Sequence, residues 1–408
     1  MTVSSGGLDD VLSRAKRNVA ILTAAQAVQG AVSPLAISLG GLVGYQLLGP
    51  DKALATAPST GLNIGTAVGA ALSAIILKYL GRKHGFIVGA LIAACGAALA
   101  AIALIRMDFW MFVAALMLIG ISSGFTQKYR FAAADASPSF YKATAISWIL
   151  VGGIVSAVIG PQLAIWMRDQ LPGVPFAGAF LAVIPLTLIS TAILSFLHVA
   201  DPTDRSEHHQ TSRPLAQIVA TPRFLTGLLC GVSASSLMTF MMTGAPLAMV
   251  IGCGYSTEMS TLGIQWHVLA MFAPSFVTGK LIVRFGVERV VAAGLVLLML
   301  CAIVAVSGIA LWNFWGSLVL LGVGWNFGFI GATAIVASSY KQAEADKVQG
   351  FHDIVLFSVV ALASLSAGKV FSSFGWNVMT LITWPVCIVC LVALAALRRN
   401  RPRLPRAD

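Results

Sequence analysis

The chain reads as an all-α membrane protein, with 12 transmembrane helices arranged as two six-helix pseudo-repeats. Three observations predict this. Apolar residues make up 58% of the 408 positions and charged residues only 10%. The apolar residues recur in windows of the ~20 residues that a helix needs to cross a hydrocarbon core of roughly 30 Å. The basic residues collect on one side of those windows, and landmarks of the first six windows return in the second six. The windows are long and continuous and lack strict alternation, which argues for helices and against a barrel.

The expected spans are 18–48, 59–80, 84–105, 109–134, 140–166, 175–198, 223–252, 258–284, 288–310, 314–339, 346–371 and 376–397. The first follows a polar stretch and lacks a small-residue cleavage site, so it reads as a retained span rather than a signal peptide; it carries Gln26 and Gln29. The second ends at Lys78 and Gly81, and the fourth carries Gln127, Lys128, Tyr129, Arg130 and Asp135. The fifth holds Gly152, Gly153, Gly160 and Pro161. After the sixth, residues 201–222 form a long hydrophilic stretch that reads as a linker between an N-terminal bundle, 1–200, and a C-terminal bundle, 223–398, with a basic tail at 399–408. His208 and His209 in that linker are adjacent histidines in a charged loop and read as solvated rather than as metal ligands.

The seventh span has Met238, Met241 and Met242 followed by Pro246, a pliable and breakable pattern. The eighth carries His267, the tenth Trp325 and Asn326, and the eleventh His352 and Asp353. Cys387 and Cys390 form a CxxC in mid-span of the twelfth without His or further Cys nearby in sequence, which favours packing over metal.

The net charge of +11 raises the question of nucleic acid, and the distribution of charge answers it. With the N-terminus inside, all basic residues except Lys52, Arg106, Arg168 and Lys369 fall on the cytoplasmic side, 22 against 4. The positive-inside rule then places both termini in the cytoplasm of a bacterial inner membrane protein, and the basic residues are spent on topology rather than on nucleic acid.

The halves repeat at a nearly constant offset. Lys78-Tyr-Leu-Gly81 matches Val283-Arg-Phe-Gly286 at 205, and Lys142 matches Lys347 at 205. Gly120-Ile-Ser-Ser-Gly124-Phe125 matches Gly324-Trp-Asn-Phe-Gly328-Phe329 at 204, and Arg17 matches Arg223 at 206.

With six plus six spans, a cytoplasmic central loop and a basic glycine-containing turn between spans 2 and 3, the chain resembles the major facilitator superfamily over its whole length. The resemblance implies an alternating-access carrier with a substrate site near the midplane between the halves. The family turn reads Gly-x-Leu-Ala-Asp-Arg-x-Gly-Arg-Lys; here Gly81, Arg82 and Lys83 fit its end, Ala74 replaces the first glycine, and Lys78 stands where the acid is expected. The second copy keeps Gly279, Leu281, Arg284 and Gly286, with Val283 at the acid position. The family acid latches spans 2 and 11, so two readings of Lys78 stand side by side: a charge-reversed latch against Glu344, Asp346 or Asp353, or simple obedience to the positive-inside rule. Gly81, Arg82, Lys83, Arg284 and Gly286 are the accompanying gating residues.

Charged groups retained inside spans cost roughly 2.5 to 3.5 kcal/mol each on insertion scales and are functional candidates by default. Lys128 and Arg130 suit an anionic or acceptor-rich solute, with Tyr129 as a ring for stacking and Gln127, Gln26, Gln29, Trp325 and Asn326 completing a pocket. The competing structural reading pairs Arg130 with Asp135 and lets Lys128 snorkel to the headgroups. Asp353 and His352, with Asp135, are the candidate proton-coupling groups, set against a capping or latch role for Asp353.

The expected function is secondary transport of a small organic solute, with proton-coupled import as the first reading and proton-driven export of drugs or metabolites as the alternative. The glycine-proline pattern of span 5 partly matches that of drug/proton antiporters, and Ala164 and Ile165 stand where paired glycines would end it. The overall cast is also similar to bacterial riboflavin permeases of the superfamily, whose neutral, acceptor-rich ring would suit Arg130, Gln26, Gln29 and stacked aromatics. No phosphate-cradling loop or HExxH is present, and no soluble stretch is long enough to hold a catalytic core, which disfavours an enzyme or a nucleotide-driven pump. The expected partners are the solute, protons and the lipid bilayer; no cofactor, metal or nucleic acid is expected, and the resemblance implies a monomer.

Overall fold

The computed structural model describes residues 5–138, 140–198, 213–341 and 344–399. The linker residues His208 and His209 and most of the basic tail therefore lie outside the described residues. Among the described residues the regular structure is helical throughout.

In the N-terminal half the helices are α1 (Ser5–Gln29), α2 (Val32–Leu47), α3 (Ala57–Arg106), α4 (Phe109–Thr126), α5 (Tyr129–Asp135), α6 (Lys142–Met167), α7 (Ala177–Leu181) and α8 (Val183–Ser195). A short α9 (Leu215–Val219) ends the linker. The C-terminal half holds α10 (Pro222–Leu247), running into a π-helical turn at Ala248–Gly252, then α11 (Thr257–Phe272), α12 (Ser275–Phe285), α13 (Val287–Val306), α14 (Leu311–Ala337), α15 (Ala345–Leu381) and α16 (Thr383–Arg399).

Several expected spans are broken helices. The first is interrupted at Gly30–Ala31 between α1 and α2, the fourth at Gln127–Lys128 between α4 and α5, and the eighth at Ala273–Pro274, where α11 and α12 meet at 43°. The opposite also occurs. The 50-residue α3 passes through Gly81 at φ 71 and ψ 168, and α15 passes through Gly375 at φ 74 and ψ −178, so each long helix folds back on itself at a glycine. Gly286, which ends α12, has φ 86 and ψ 147 and so repeats the backbone of Gly81 205 residues later. Only glycine enters this region without strain.

By length and apolarity, nine helical segments among the described residues could cross a membrane, or ten with the bent α11–α12 pair. Their outer faces carry exposed Trp110, Trp166, Leu188, Val389 and Val392, a surface that lipid covers and water would not. Inside each half, small residues let backbones approach: Gly120 and Gly124 of α4 lie against Leu62 and Gly69 of α3 with no room for a Cβ, and Gly328 of α14 meets Gly294 of α13. This is the packing expected where lipid supplies no hydrophobic drive between helices.

The broken spans show where the halves meet. The first span's α1 packs on α5, α6 and α8 of its own half, whereas its α2 also reaches α10 and α11 across the divide. Likewise α11 packs on α2 and α6, whereas α12 stays with α13 and α14. The halves therefore touch at the end away from the linker and splay at the linker end. The seam is tied by Thr56 Oγ1 donating to the Leu365 carbonyl at 3.2 Å, the Gly368 amide donating to Thr56 Oγ1 at 3.2 Å, and Gln162 Nε2 donating to Gln265 Oε1 at 2.9 Å.

Candidate functional site

The break at Gln127–Lys128 decides which side chains of the fourth span face which way. A tightened turn, with the Lys128 amide on the Phe125 carbonyl at 3.0 Å, separates α4 from α5. Beyond it Tyr129 turns into the N-terminal half. It is 1% exposed, packs edge-on against Phe86 at 4.7 Å, and its hydroxyl lies beside Ser190 and Thr126. The expectation that Tyr129 offers a ring to a ligand is corrected by this placement: it belongs to the core formed with Leu22, Ala25 and Ala133.

Arg130, one residue on, is exposed, with its guanidinium 4.8 Å from the Phe131 ring. Lys128 is half-buried, and Gln127 is exposed at the break. Both cations feel the Asp353 carboxylate of α15, so the fold brings α5 and α15 to face each other across the splayed space. Asp353 has 59% of its side chain exposed, and its Oδ1 lies in hydrogen-bond contact with His352 Nδ1 at 3.1 Å. His352 itself is 8% exposed at the side chain, and its other ring nitrogen, near Gly231 of α10, is buried without a partner among the described residues.

Next to these charges lies an uncharged polar layer that sequence reasoning caught only in part. Gln29 is 3% exposed and donates to Ser122 Oγ at 3.0 Å, while its own carbonyl oxygen is buried without a partner. Ser33 and Ser123 share a hydrogen bond of 2.5 Å, joining α2 to α4. The signal for Ser33 was present as an i, i+4 partner of Gln29; that for Ser122 and Ser123 lay inside the repeated glycine motif. Gln26 is half-buried against Gly30 and Gly152.

In the other half, Trp325 donates to Ser235 Oγ at 3.2 Å and stacks on Phe329 at 4.9 Å and 9°. Asn326 was expected beside it in the pocket, and its placement is different. Fully buried, it donates to the Met271 carbonyl and to Ser275 Oγ, both at 2.7 Å, and accepts from Thr278 Oγ1 at 2.6 Å. Both amide hydrogens and the amide oxygen of Asn326 are engaged by α11 and α12 at their bend.

The gating residues also find partners different from those expected. Asp135 pairs with Arg82 at 2.5 Å, and Arg82 also reaches the Ala132 carbonyl at 3.4 Å. Asp135 thereby fastens the Gly81 turn to α5 and pairs with Arg82 instead of Arg130. Glu344 is fully buried under Arg213 of the linker, which donates to it from the backbone amide, Nε and Nη2 at 3.0, 2.9 and 2.7 Å. Lys347 donates to the Arg213 carbonyl as well. Lys78 is exposed and forms no hydrogen bond or ion pair among the described residues, so the Lys78–Glu344 latch is absent from this conformation; the Asp346 side chain lies outside the described set. Lys83 is half-buried, and Arg284 lies 5.3 Å from the Phe285 ring beside Gly286.

His267 is fully buried, with Nδ1 on the Leu318 carbonyl at 2.8 Å, a packing position. Gly152 and Gly160 of α6 press on the backbone of α1 and its break, which accounts for those glycines by close packing. Among the described residues no group of three or more His, Cys, Asp and Glu stands where it could hold a metal ion.

Helices that pair closely at one end of the molecule and splay at the other suit a carrier, and comparison with known proteins agrees on a transporter. The family model of the Major Facilitator Superfamily matches residues 19–273 and 266–408. The chain belongs to the Major Facilitator Superfamily. It is a multi-pass membrane transporter acting on a small-molecule substrate.

Among its superfamily relatives, the riboflavin transporter RfnT of Brucella anthropi is 46% identical over 373 residues, covering 91% of this chain and 93% of that protein. Two uncharacterised transporters of the superfamily from Bacillus subtilis, YdeG and YddS, are each 28% identical over 90% of this chain, covering 88% and 87% of their own. Of solved structures, the nucleoside transporter NupG matches at a TM-score of 0.73 and 14% identity, over 93% of this chain and 99% of its own. A peptide transporter of the POT family matches at 0.62 and 14%, over 96% and 98%. At 14% identity these two speak for the superfamily fold alone.

Proposed function

We propose that this transporter imports riboflavin or a closely similar flat, acceptor-rich solute across the bacterial inner membrane, as a monomer coupled to protons. The observation that carries the reading is the 46% identity to a riboflavin transporter over 91% of the chain. The reading draws further support from the donors of Lys128 and Arg130, the Gln29–Ser122 pair and the Trp325–Phe329 stack.

Both termini and the linker lie in the cytoplasm in this reading, following the basic residues. Twelve crossings result when the long segments are divided at Gly81 and Gly375 and α11–α12 is counted as one. The conformation is then open to the cytoplasm and shut toward the periplasm.

Asp353 is the group that couples protons to movement. Ionised, it attracts Lys128 and Arg130 and draws the open ends together. Protonated, it lets them go, with His352 as the neighbour through which the proton passes. Solute oxygens on Arg130 replace that attraction and leave the carboxyl free to take a proton.

Uptake of labelled riboflavin into proteoliposomes tests the reading. Wild type accumulates riboflavin when an inward proton gradient is imposed, Arg130→Ala loses binding by at least about tenfold, the loss of a charge-assisted contact, and Asp353→Asn exchanges solute without responding to the gradient. Riboflavin efflux driven by the same gradient, or stabilisation by cationic dyes alone, would replace import with the exporter reading.

A further inference from the structure

We infer that the groove between α1 and α8 at the linker end binds an anionic phospholipid, with an acyl chain in the groove and its phosphate on Arg17. The groove is open along one side and offers about 610 Å³, and its walls include Ala20 and Ala24 of α1, Ile189 and Ile193 of α8 and Phe196 just beyond it, with Arg17 at the mouth. Ala20 and Ala24 are one turn apart on a single face. Their methyl groups stand where larger side chains would close the space against α8.

The mouth is fixed in place. The Asn18 amide donates to the His198 carbonyl at 2.8 Å and accepts from the His198 amide at 3.2 Å, stapling α1 to the chain just past α8. Both walls belong to the N-terminal half, so the groove persists whichever end of the carrier is open. Beside this staple Arg17 is exposed and has no hydrogen bond or ion pair among the described residues, with exposed Arg14 and Lys16 within a turn.

An unpaired guanidinium at the top of an apolar channel meets two requirements at once. Its fork suits the oxygens of a phosphate, and the channel suits only a ligand that carries a hydrocarbon chain, which a free phosphate lacks. The neighbouring basic residues favour a headgroup of net negative charge over a zwitterion. A lipid seated there braces α1, the helix that carries Gln26 and Gln29, against α8. This inference stands whether or not the solute is riboflavin.

Native mass spectrometry of the full-length protein, after exchange into dioleoylphosphatidylglycerol or dioleoylphosphatidylcholine, reads the site directly. The wild type retains the anionic lipid in preference to the zwitterionic one. Arg17→Gln lowers that retention about fivefold, the contribution of one basic residue at an anionic surface. Ala24→Phe fills the groove with the charge intact and lowers retention as well, and both variants match the wild-type melting temperature in phosphatidylcholine. Equal retention of the two lipids overturns the proposal. So does Ala24→Phe that holds the anionic lipid undiminished, or glycerol phosphate that raises the melting temperature as far as the lipid does, since either result makes the groove irrelevant.

Discussion

Glu344 is a fully buried carboxylate at the start of α15, and it is held there by three donors from one linker arginine. The Arg213 guanidinium beside it, with the Lys341 amide, keeps its carboxyl well below the ordinary value of 4.5. The folded state thus binds the proton less well than the unfolded state. The stability this pair contributes is fully present above pH 4.5 and drains away as pH falls below it. Thermal melts of the purified protein should lose stability on acidification below that point, and Glu344→Gln should flatten the loss. Gly81 is a second residue on which much rests: at φ 71 and ψ 168 an alanine is strained, and Gly81→Ala should cost on the order of 1 to 3 kcal/mol in a denaturation series. At this scale the sequence was partly legible. The glycines of the two turns were readable because a constant offset repeats them. The facing of Tyr129 and Arg130 was not, because it turns on a two-residue break in the helix that neither apolar period nor charge announces.

Helices in this protein are shaped more by their interruptions than by their caps. At the bend between α11 and α12, Asn326 of α14 donates to the Met271 carbonyl and to Ser275 Oγ and accepts from Thr278 Oγ1. Asn326→Leu keeps the bulk and removes the bonds. It should lower stability by about 1 to 3 kcal/mol for each partner left buried and unpaired, seen as a lower melting temperature with solute affinity per folded molecule preserved. An affinity lost at unchanged stability would return Asn326 to the pocket. The breaks at Ala31, Gln127 and Pro274 went unseen because the apolar windows 18–48, 109–134 and 258–284 run straight across them. The cysteines make the same point. Cys387 and Cys390 were read as lacking further Cys nearby, and the fold sets Cys230 of α10 against Cys390 and Cys301 of α13 near Cys387, neighbours that no local window contains.

For the molecule as a whole, the transport cycle requires the seam away from the linker to part. Thr56 and Gly368 approach closely enough there that a Cβ on Gly368 would lie 2.9 Å from Thr56 Oγ1. With cysteines at both positions, Thr56→Cys and Gly368→Cys, an added oxidant should cross-link the halves and stop uptake, and a reductant should restore it. Flux that continues through the cross-linked protein would mean that the seam does not open during transport. The all-helical fold with several membrane-spanning helices was legible from the chain. The conformational state was not, since nothing in an amino-acid order says which end of a two-state carrier is shut.

The seam has one more property. Its ties are hydroxyl, amide and carbonyl groups, and each ion pair of 4 Å or less among the described residues lies within one half or between the linker and the C-terminal half. Dissolved salt screens charges and leaves neutral hydrogen bonds nearly untouched. The force that holds this end together is therefore indifferent to ionic strength, while the attraction of Asp353 for Lys128 and Arg130 at the other end is not. In the cycle we propose, raising the salt weakens one side of the balance alone and tilts the resting carrier further toward the state seen here.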